Sequence, residues 1–473
     1  MRQLYFILTF LFLVSSNTLP AQEVWDWQKC IDYAFKNNLQ VKQSDINIQL
    51  GESNLKQQKL NYSPSVNAST NYNLRLGNNY DFYANTYTKA LVHYQDYGVN
   101  LSQPIFDGLM TPNNIKKSKI DLQAIKLDQA VLKNNIQMQI LAAFLNIMNA
   151  NEQYQQAINQ KTSTQEQYER MQTLIKAGGA AEKAILDIDA QLTSEELTIS
   201  QIKNQLDLAY LNLKILLQLD VKQNITVQIP ELPKTFNVEN LQDINTIYSD
   251  ALSLRPEIKS SQLKVQSAKK QIAVARGNYS PVLNFVANTN TFFSSQSVTY
   301  KQQATGNNTA VGFVEGTFQR VLIPEIATIS SKNPYKNQLK QNLGYAFGAS
   351  LNIPIYNKYQ VQTAVKQAKL QYENTLLTEK QAELDLFNSI QQAYIKAEAA
   401  IANYKSSQRN LETAQKSYDY AVERLNVGAV NQLEVNLAKT NLMNAESKWT
   451  QSKYEYVFNT KLLDFYQGKK IEL

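Results

Sequence analysis

Two different periodicities divide the chain into long helices and a few strands. Between residues 387 and 425, small, apolar and aromatic side chains recur at alternating steps of three and four, with Gln408 and Gln415 at two of these positions. A sustained repeat of 3.5 residues predicts a helix that packs as a left-handed coiled coil. Around residues 127–148 two apolar stripes run side by side, which predicts a neighbouring helix on each flank. The predicted helices are about 113–176, about 181–219, about 358–427 and about 431–466.

Helix length separates these segments from the core of a compact domain. The stretches 113–176 and 358–427 contain 64 and 70 residues. At a rise of 1.5 Å per residue they would be about 96 and 105 Å long. Helices of that length are expected to project from the part of the molecule that anchors them.

A strict alternation of polar and apolar residues predicts four strands, at about 66–76, 94–105, 282–293 and 343–355. Each has one apolar face, one face of Asn and Ser, and aromatic residues near its ends. Strands of ten or eleven residues with this alternation are typical of β-barrels in membranes. A small soluble sheet packed on helices is the alternative that the pattern leaves open.

The sequence contains an internal repeat that relates its two halves. Asn61-Tyr62-Ser63-Pro64 recurs as Asn278-Tyr279-Ser280-Pro281, at an offset of 217 residues. Leu101-Ser102-Gln103-Pro104-Ile105-Phe106 is answered by Leu351-Asn352-Ile353-Pro354-Ile355-Tyr356, at an offset of 250. The difference of 33 places one insertion in the second half, within 294–342, where Gly306-Asn307-Asn308 and Lys332-Asn333-Pro334 are interpreted as turns. We therefore predict two structural repeats, 23–230 and 231–473.

Residues 1–22 have the pattern of an export signal. A basic end precedes an apolar run from Leu4 to Val14, and small residues follow. The run is too short to span a bilayer as an anchor, and a buried N-terminal helix is the alternative interpretation. The mature protein is expected to act outside the inner membrane of a bacterium.

Composition excludes several classes of function. Only 14 Gly and 11 Pro occur in 473 residues, which is too few for a loop-rich scaffold. With one cysteine, Cys30, and one histidine, His93, the chain cannot form a disulfide within itself or a zinc site built from several such residues. We interpret Cys30 as a buried apolar residue and His93 as an extracellular polar residue just before a strand.

No cofactor or nucleic-acid partner is predicted. The net charge is +7, but the basic residues are spread along the whole chain, whereas a nucleic-acid binder gathers them into a patch. The phosphate-binding, metalloprotease and hydrolase motifs are not found, so an enzyme is not expected.

Four strands are too few to close a membrane barrel, because known barrels begin at about eight strands. Open sheet edges are not tolerated in hydrocarbon, where unpaired backbone groups cost several kcal/mol each. Two copies would supply about eight strands and three about twelve, and only the wider barrel leaves room for a lumen. These constraints predict a conduit that several copies share, with small polar residues facing inward.

Two further motifs are Leu254-Arg255-Pro256-Glu257-Ile258 and the turn Arg424-Leu425-x-x-Gly428. Together with the two pairs of repeated segments, they resemble the TolC family of outer membrane efflux proteins. The resemblance covers essentially the whole mature chain. It implies a mostly α-helical fold with membrane β-structure: a homotrimer whose 12-stranded β-barrel, in the outer-membrane lipid of a Gram-negative bacterium, continues as a long periplasmic α-helical barrel. It also implies a periplasmic adaptor protein and an inner-membrane pump of the RND, ABC or MFS type as partners.

The resemblance further implies the roles of particular residues. The two helical turns would form the tips that dock the adaptor: Leu174, Ile175, Gly178, Arg424, Leu425 and Gly428. Glu434, six residues after Gly428, matches an acidic pore constriction, and Asp187 on the companion helix is a second candidate. Both are otherwise interpreted as solvated helical carboxylates. Three carboxylates around a narrow axis would raise one another's pKa and favour cations.

Two other functions remain open at this point. A periplasmic adaptor also has long helical hairpins, but it should carry one hairpin within Gly- and Val-rich β-modules. A structural coiled-coil protein of the envelope would have the helices without the alternating strands. The residues do not identify the cargo, the choice between efflux and protein secretion, or the role of 294–342.

Overall fold

The computed structural model describes residues 24–81, 85–179, 181–228, 241–469 and 471. The predicted export signal, residues 1–22, and the predicted boundary between the repeats at residues 230 and 231 lie outside the described residues.

The first half contains two shorter helices, a pair of strands and two long helices. Its elements are β1 (Val24–Trp25), α1 (Trp27–Asn37), α2 (Leu39–Leu60), β2 (Ser65–Asp81), β3 (Thr86–Phe106), α3 (Met110–Lys176), α4 (Glu182–Leu217) and β4 (Thr226–Val227). Asp26 caps α1, because its carboxylate accepts a hydrogen bond of 2.6 Å from the backbone N–H of Lys29. The short strands β1 and β4 pair in parallel.

The second half follows the same order with extra elements between its strands. Its elements are α5 (Ile244–Leu254), α6 (Pro256–Gly277), β5 (Val282–Ser294), β6 (Val298–Phe313), β7 (Arg320–Lys332), α7 (Tyr335–Gln341), β8 (Gly344–Asn352), α8 (Gln360–Asn426) and α9 (Gln432–Tyr466). Helices α3 and α8 have 67 residues each, so each is about 100 Å long. No helix among the described residues combines the length and the apolar character that crossing a bilayer requires.

The extra elements form a β-hairpin that the sequence patterns do not reveal. The segment Gly306-Asn307-Asn308, interpreted from sequence as a turn, lies inside β6, where the register with β7 shifts between Ala304 and Asn308. That interpretation was wrong because a glycine with φ of +79° fits a bulge as well as a turn. The strands instead reverse between Phe313 and Arg320.

The residues group into two compact units. The first contains the described residues up to Ser53, those within Lys119–Ser267 and those from Tyr372 on; the second contains the described residues within Asn54–Ser118 and Ala268–Gln371. The largest core of the first unit is built on α3, and its fully buried members include Ile140, Phe144 and Ile147 from one stripe and Leu141 and Met148 from the other. Both predicted stripes are therefore buried over this part of the helix.

The second unit contains the four strands that the alternation predicts. They form one antiparallel sheet in the order β2-β3-β5-β8, with pairs such as Ser65 with Ser102 and Val282 with Asn352 at one end. β3 is longer than predicted. His93, expected just before a strand, lies inside it, and its Nδ1 is 2.6 Å from the hydroxyl of Tyr72. The hairpin β6-β7 is a separate two-stranded sheet.

Candidate functional site

The two faces of the four-stranded sheet differ sharply in chemistry. Residues that are paired across antiparallel strands share a face, so the register assigns every side chain. One face is rich in asparagine: Asn67, Asn71, Asn73, Asn100, Asn284, Asn288, Asn290 and Asn352. The other face carries Leu101, Leu283 and Leu351 together with the highly exposed aromatic residues Tyr345 and Phe347. The sheet therefore has one water-compatible face and one face suited to hydrocarbon.

The α3–α4 and α8–α9 turns have the same backbone geometry. In the first, the N–H of Gly178 bonds the carbonyl of Ile175 and the N–H of Gly179 bonds that of Leu174, each at 2.9 Å. This pair of hydrogen bonds is the Schellman motif, which ends a helix with a residue in the left-handed region. Gly178 has a φ of +77°, and a Cβ at this position would have no heavy atom within 4 Å, so backbone conformation rather than space favours glycine.

The second turn repeats this geometry 250 residues later. The N–H of Gly428 bonds the carbonyl of Leu425, and the N–H of Ala429 bonds that of Arg424, again each at 2.9 Å. Gly428 has a φ of +74°. Four of the residues assigned to the tips by resemblance, Leu174, Ile175, Arg424 and Leu425, thus supply the carbonyls that close the helices.

The tip side chains have different surroundings. Leu174 is half exposed and Ile175 is partly buried. Leu425 packs against a small cluster whose buried members are Ala421, Val435 and Ala438. This cluster joins the end of α8 to the start of α9, so the second turn is held by side-chain packing as well as by its backbone bonds.

Glu434 lies in the first turn of α9 and is ion-paired. The N-cap Asn431 accepts a hydrogen bond of 3.1 Å from the backbone N–H of Glu434. The Glu434 carboxylate is 3.0 Å from Nη1 of Arg424, and the two side chains are 50% and 42% exposed. An exposed pair of this kind contributes at most about 1 kcal/mol, but it places a positive charge beside the candidate constriction carboxylate.

Asp187 is an exposed residue of α4, one position before the fully buried Ile188. Within the described ranges, no hydrogen bond or ion pair joins Asp187 to Glu434 or Arg424. The structure thus joins Glu434 to a tip residue but does not bring the two candidate acids together.

A buried polar cluster that was not predicted from the sequence joins the two long helical hairpins, α3–α4 and α8–α9. Lys439 of α9 and Glu195 of α4 are each 2% exposed, with Nζ and Oε1 3.8 Å apart. Thr164 of α3 lies between them: its hydroxyl donates to Glu195 Oε1 at 2.8 Å and accepts from Lys439 Nζ. Burial lowers the pKa of Lys439, and the nearby Glu195 carboxylate opposes this effect.

A periodicity signal could have located this cluster. Lys439 follows the buried Val435 by four residues and precedes the buried Leu442 by three. Glu195 likewise follows the buried Ile188 and Leu192 by seven and three. A charged residue at such a position on the buried stripe of a helix indicates a partner on a neighbouring helix.

A second cluster ties α9 to α3 nearer the middle of both helices. Lys453 Nζ donates to both oxygens of the Glu152 carboxylate, at 2.8 and 2.7 Å, and the Tyr454 hydroxyl donates to Oε2 at 2.7 Å. Burial raises the pKa of Tyr454, and the Glu152 carboxylate raises it further. Charged hydrogen bonds of this type are stronger than neutral ones, so they fix the register between the hairpins.

Both the sequence and the fold of the chain are similar to those of known proteins. The family model described as "Outer membrane efflux protein" matches residues 30–217 and 247–466. TolC of Escherichia coli strain K12 is 23% identical over 235 residues, which are 49% of this chain and 42% of TolC. The match thus spans less than half the length of TolC. The outer membrane efflux protein BepC of Brucella suis is 18% identical over 426 residues, 90% of this chain and 81% of BepC.

Among solved structures, the CmeC outer membrane channel of Campylobacter jejuni has a TM-score of 0.72 at 20% identity. The superposition covers 93% of this chain and 85% of CmeC. At this level of identity the similarity establishes the fold of nearly the whole chain.

Proposed function

Since the chain belongs to the outer membrane efflux protein family, we propose that it is the exit channel of a tripartite efflux or type I secretion system. In this proposal the protein lies in the outer membrane of a Gram-negative bacterium and extends into the periplasm. It conducts substrates passively from an inner-membrane pump to the outside, and it performs no catalysis.

One observation carries the proposal: a single chain supplies a four-stranded sheet with an apolar face and an amide-rich face, and the sheet is not closed. β2 pairs only with β3 and β8 only with β5 in the part of the chain that the structure describes. Unpaired strand edges cannot remain open in hydrocarbon. Neighbouring copies that pair β8 of one with β2 of the next would satisfy both edges.

A homotrimer is the assembly that we propose. Three copies of a four-stranded sheet give twelve strands, and a barrel wider than eight strands leaves a lumen. The asparagine-rich face would line that lumen and the aromatic face would meet lipid. The sequence left open that this chain is itself a periplasmic adaptor. This alternative is not favoured, because the family model of outer membrane efflux proteins covers both halves of the chain.

The two Schellman turns are proposed as the periplasmic tips that dock an adaptor protein, which in turn contacts an RND, ABC or MFS pump. Matching backbone geometry in the two turns supports this, because an adaptor could then engage six similar tips on a trimer. Glu434 and Asp187 are proposed to line the constriction near these tips.

The direct test measures assembly and conduction of the purified mature protein. We expect an outer-membrane fraction, a trimer by mass in detergent, and stepwise ion conductance after insertion into planar lipid bilayers. A matched control is the same preparation after heat dissociation, which should not conduct. A monomer that stays in the soluble periplasmic fraction and leaves the bilayer intact would exclude the proposal.

A further inference from the structure

The excess positive charge of the chain is concentrated where the sheet joins the helices. The full sequence has 47 basic and 40 acidic residues. The four joining segments 54–60, 107–118, 268–277 and 358–371 hold ten of the basic residues and one acid, Asp107. Outside them, 37 basic and 39 acidic residues nearly balance. The excess of basic over acidic residues is therefore a local property of the segments beside the sheet, and not a general property of the protein surface.

The ten basic residues come from both repeats. The first repeat contributes Lys56 and Lys59 at the end of α2 and Lys116 and Lys117 near the start of α3. All of these are exposed except Lys117, which is partly buried. The only acid, Asp107, is engaged locally, because its Oδ2 accepts hydrogen bonds from the backbone N–H and the hydroxyl of Thr111.

The second repeat contributes the other six. Lys269, Lys270 and Arg276 lie in the last turns of α6, and Lys358, Lys366 and Lys369 lie at and beyond the start of α8. All six are exposed except Lys270, which is partly buried. None of the six forms an ion pair with a described residue. Their charges are thus available to an external anion.

All four segments meet at one end of the sheet. α2 leads into β2, β3 leads into α3, α6 leads into β5 and β8 leads into α8. The register places the corresponding strand ends side by side, with Ser65 opposite Ser102 and Phe106 opposite Leu283. At this end a Cβ on Gly277 would be 2.8 Å from the carbonyl oxygen of Gly108, so the helix ends of the two repeats are in contact.

Aromatic residues occupy the same joints. Tyr62 and Tyr279 are each about half exposed, and Tyr356 and Tyr359 are 83% and 68% exposed. Ile355, on the same connector, is 94% exposed and lies four residues after Leu351, which is on the apolar face of the sheet. Tyrosine and tryptophan gather at the headgroup level of membrane proteins, and neighbouring lysines reach the phosphates while their methylene stems lie on apolar surface.

We propose that these ten residues, the basic collar, bind the phosphate groups of anionic glycerophospholipids in the periplasmic leaflet of the outer membrane. The proposal rests on the channel function proposed above and adds the lipid class that the channel selects. Charge complementarity and continuity with the apolar sheet face both favour lipid over an anion in the lumen. The attraction is electrostatic, so it should weaken as salt rises.

The test compares lipid binding by the trimer with and without part of the collar. Delipidated full-length trimer in nonionic detergent is titrated with fluorescent phosphatidylglycerol, phosphatidylcholine or inorganic phosphate. The triple variant Lys358→Gln, Lys366→Gln, Lys369→Gln removes three collar charges from each copy. The matched control removes three exposed lysines from a distant part of α8: Lys396→Gln, Lys405→Gln, Lys416→Gln.

We expect phosphatidylglycerol to bind more tightly than phosphatidylcholine, and the collar variant to lose on the order of tenfold in this preference. The control variant should keep it, and inorganic phosphate should compete only weakly. Three outcomes would refute lipid binding by the collar. They are equal binding of both lipids, strong binding of inorganic phosphate alone, and a collar variant that changes only the ion selectivity of the pore. A trimer that conducts but shows no lipid preference refutes the collar alone, whereas a chain that neither trimerises nor conducts refutes both proposals.

Discussion

The single thiol of the chain shows how residue-level chemistry follows from burial. Cys30 lies fully buried in the core around α1 and α3. Burial, with a smaller effect of Asp26, raises its pKa to about 12, against the opposing effect of Lys29. At neutral pH this thiol is therefore protonated and a poor nucleophile. The sequence interpretation of Cys30 as a buried apolar residue is confirmed.

Glu446 provides a pH-dependent test at the same scale. Burial raises the pKa of its carboxyl above the ordinary 4.5. A raised carboxyl pKa favours folding when the group is protonated, and this contribution is lost as pH rises through the folded-state pKa. At pH 7.5, above the ordinary pKa of a carboxyl group, burial of Glu446 therefore costs stability, and Glu446→Gln should raise the melting temperature by roughly 1–3 °C.

The comparison is a pair of thermal unfolding curves by circular dichroism at pH 7.5 and at pH 4. The gain should shrink at pH 4, where the carboxyl is increasingly protonated in both states. Glu412→Gln, which changes an exposed carboxylate of α8, should leave the melting temperature unchanged at either pH. A gain of equal size at both pH values would contradict the assignment to charge burial.

At the scale of elements, the two Schellman turns depend on left-handed glycines. Gly428→Ala places a Cβ in a conformation that costs an L-residue about 1–2 kcal/mol, and the surroundings offer open space but no compensating contact. We expect the variant to lower the free energy of unfolding by about 1 kcal/mol in denaturant titrations.

Gly348→Ala is the matched control for this substitution. Gly348, in β8, also has open space around a Cβ, but its φ is not in the left-handed region. Alanine there should be nearly neutral. Equal effects at Gly348 and Gly428 would show that the turn conformation is not the cause.

Regular sequence patterns predict most of the helices and strands of this fold. The elements and contacts that were not predicted lie where the pattern is interrupted or where tertiary packing decides the outcome. Alternation identifies the strands of the four-stranded sheet, because one face must be apolar and the other polar. The hairpin β6-β7 escapes this reasoning, since its two register shifts interrupt the alternation. The Lys439–Glu195 contact escapes it as well. Periodicity marks each residue as buried, but only tertiary packing decides that the two meet.

At the scale of the whole molecule, the contact between Arg424 and Glu434 changes the expected electrostatics of the proposed constriction. Three bare carboxylates around an axis would favour cations, but each Glu434 has an arginine 3.0 Å away in its own chain. In a trimer, three guanidinium groups would offset three carboxylates. Arg424→Gln should therefore increase cation selectivity, and Glu434→Gln should shift permeability toward anions, each by at least roughly twofold.

Reversal potentials in planar bilayers under a KCl gradient measure these shifts. The double variant Arg424→Gln, Glu434→Gln removes both charges and should return selectivity close to that of the unmodified channel. If all three variants have the permeability ratio of the parent, the constriction lies elsewhere. Asp187→Asn then becomes the informative substitution.

The asparagine-rich face of the sheet has a consequence for sorting of cargo. Carboxamides donate and accept hydrogen bonds without net charge, and one of the few acids on this wall, Asp96, accepts a hydrogen bond of 2.9 Å from Asn71. A surface of this kind stays wetted yet has little affinity for any one solute. We therefore expect both cations and anions to pass along this surface. Selectivity for substrates should then come from their size or from the upstream partner proteins, and not from chemical recognition by the sheet.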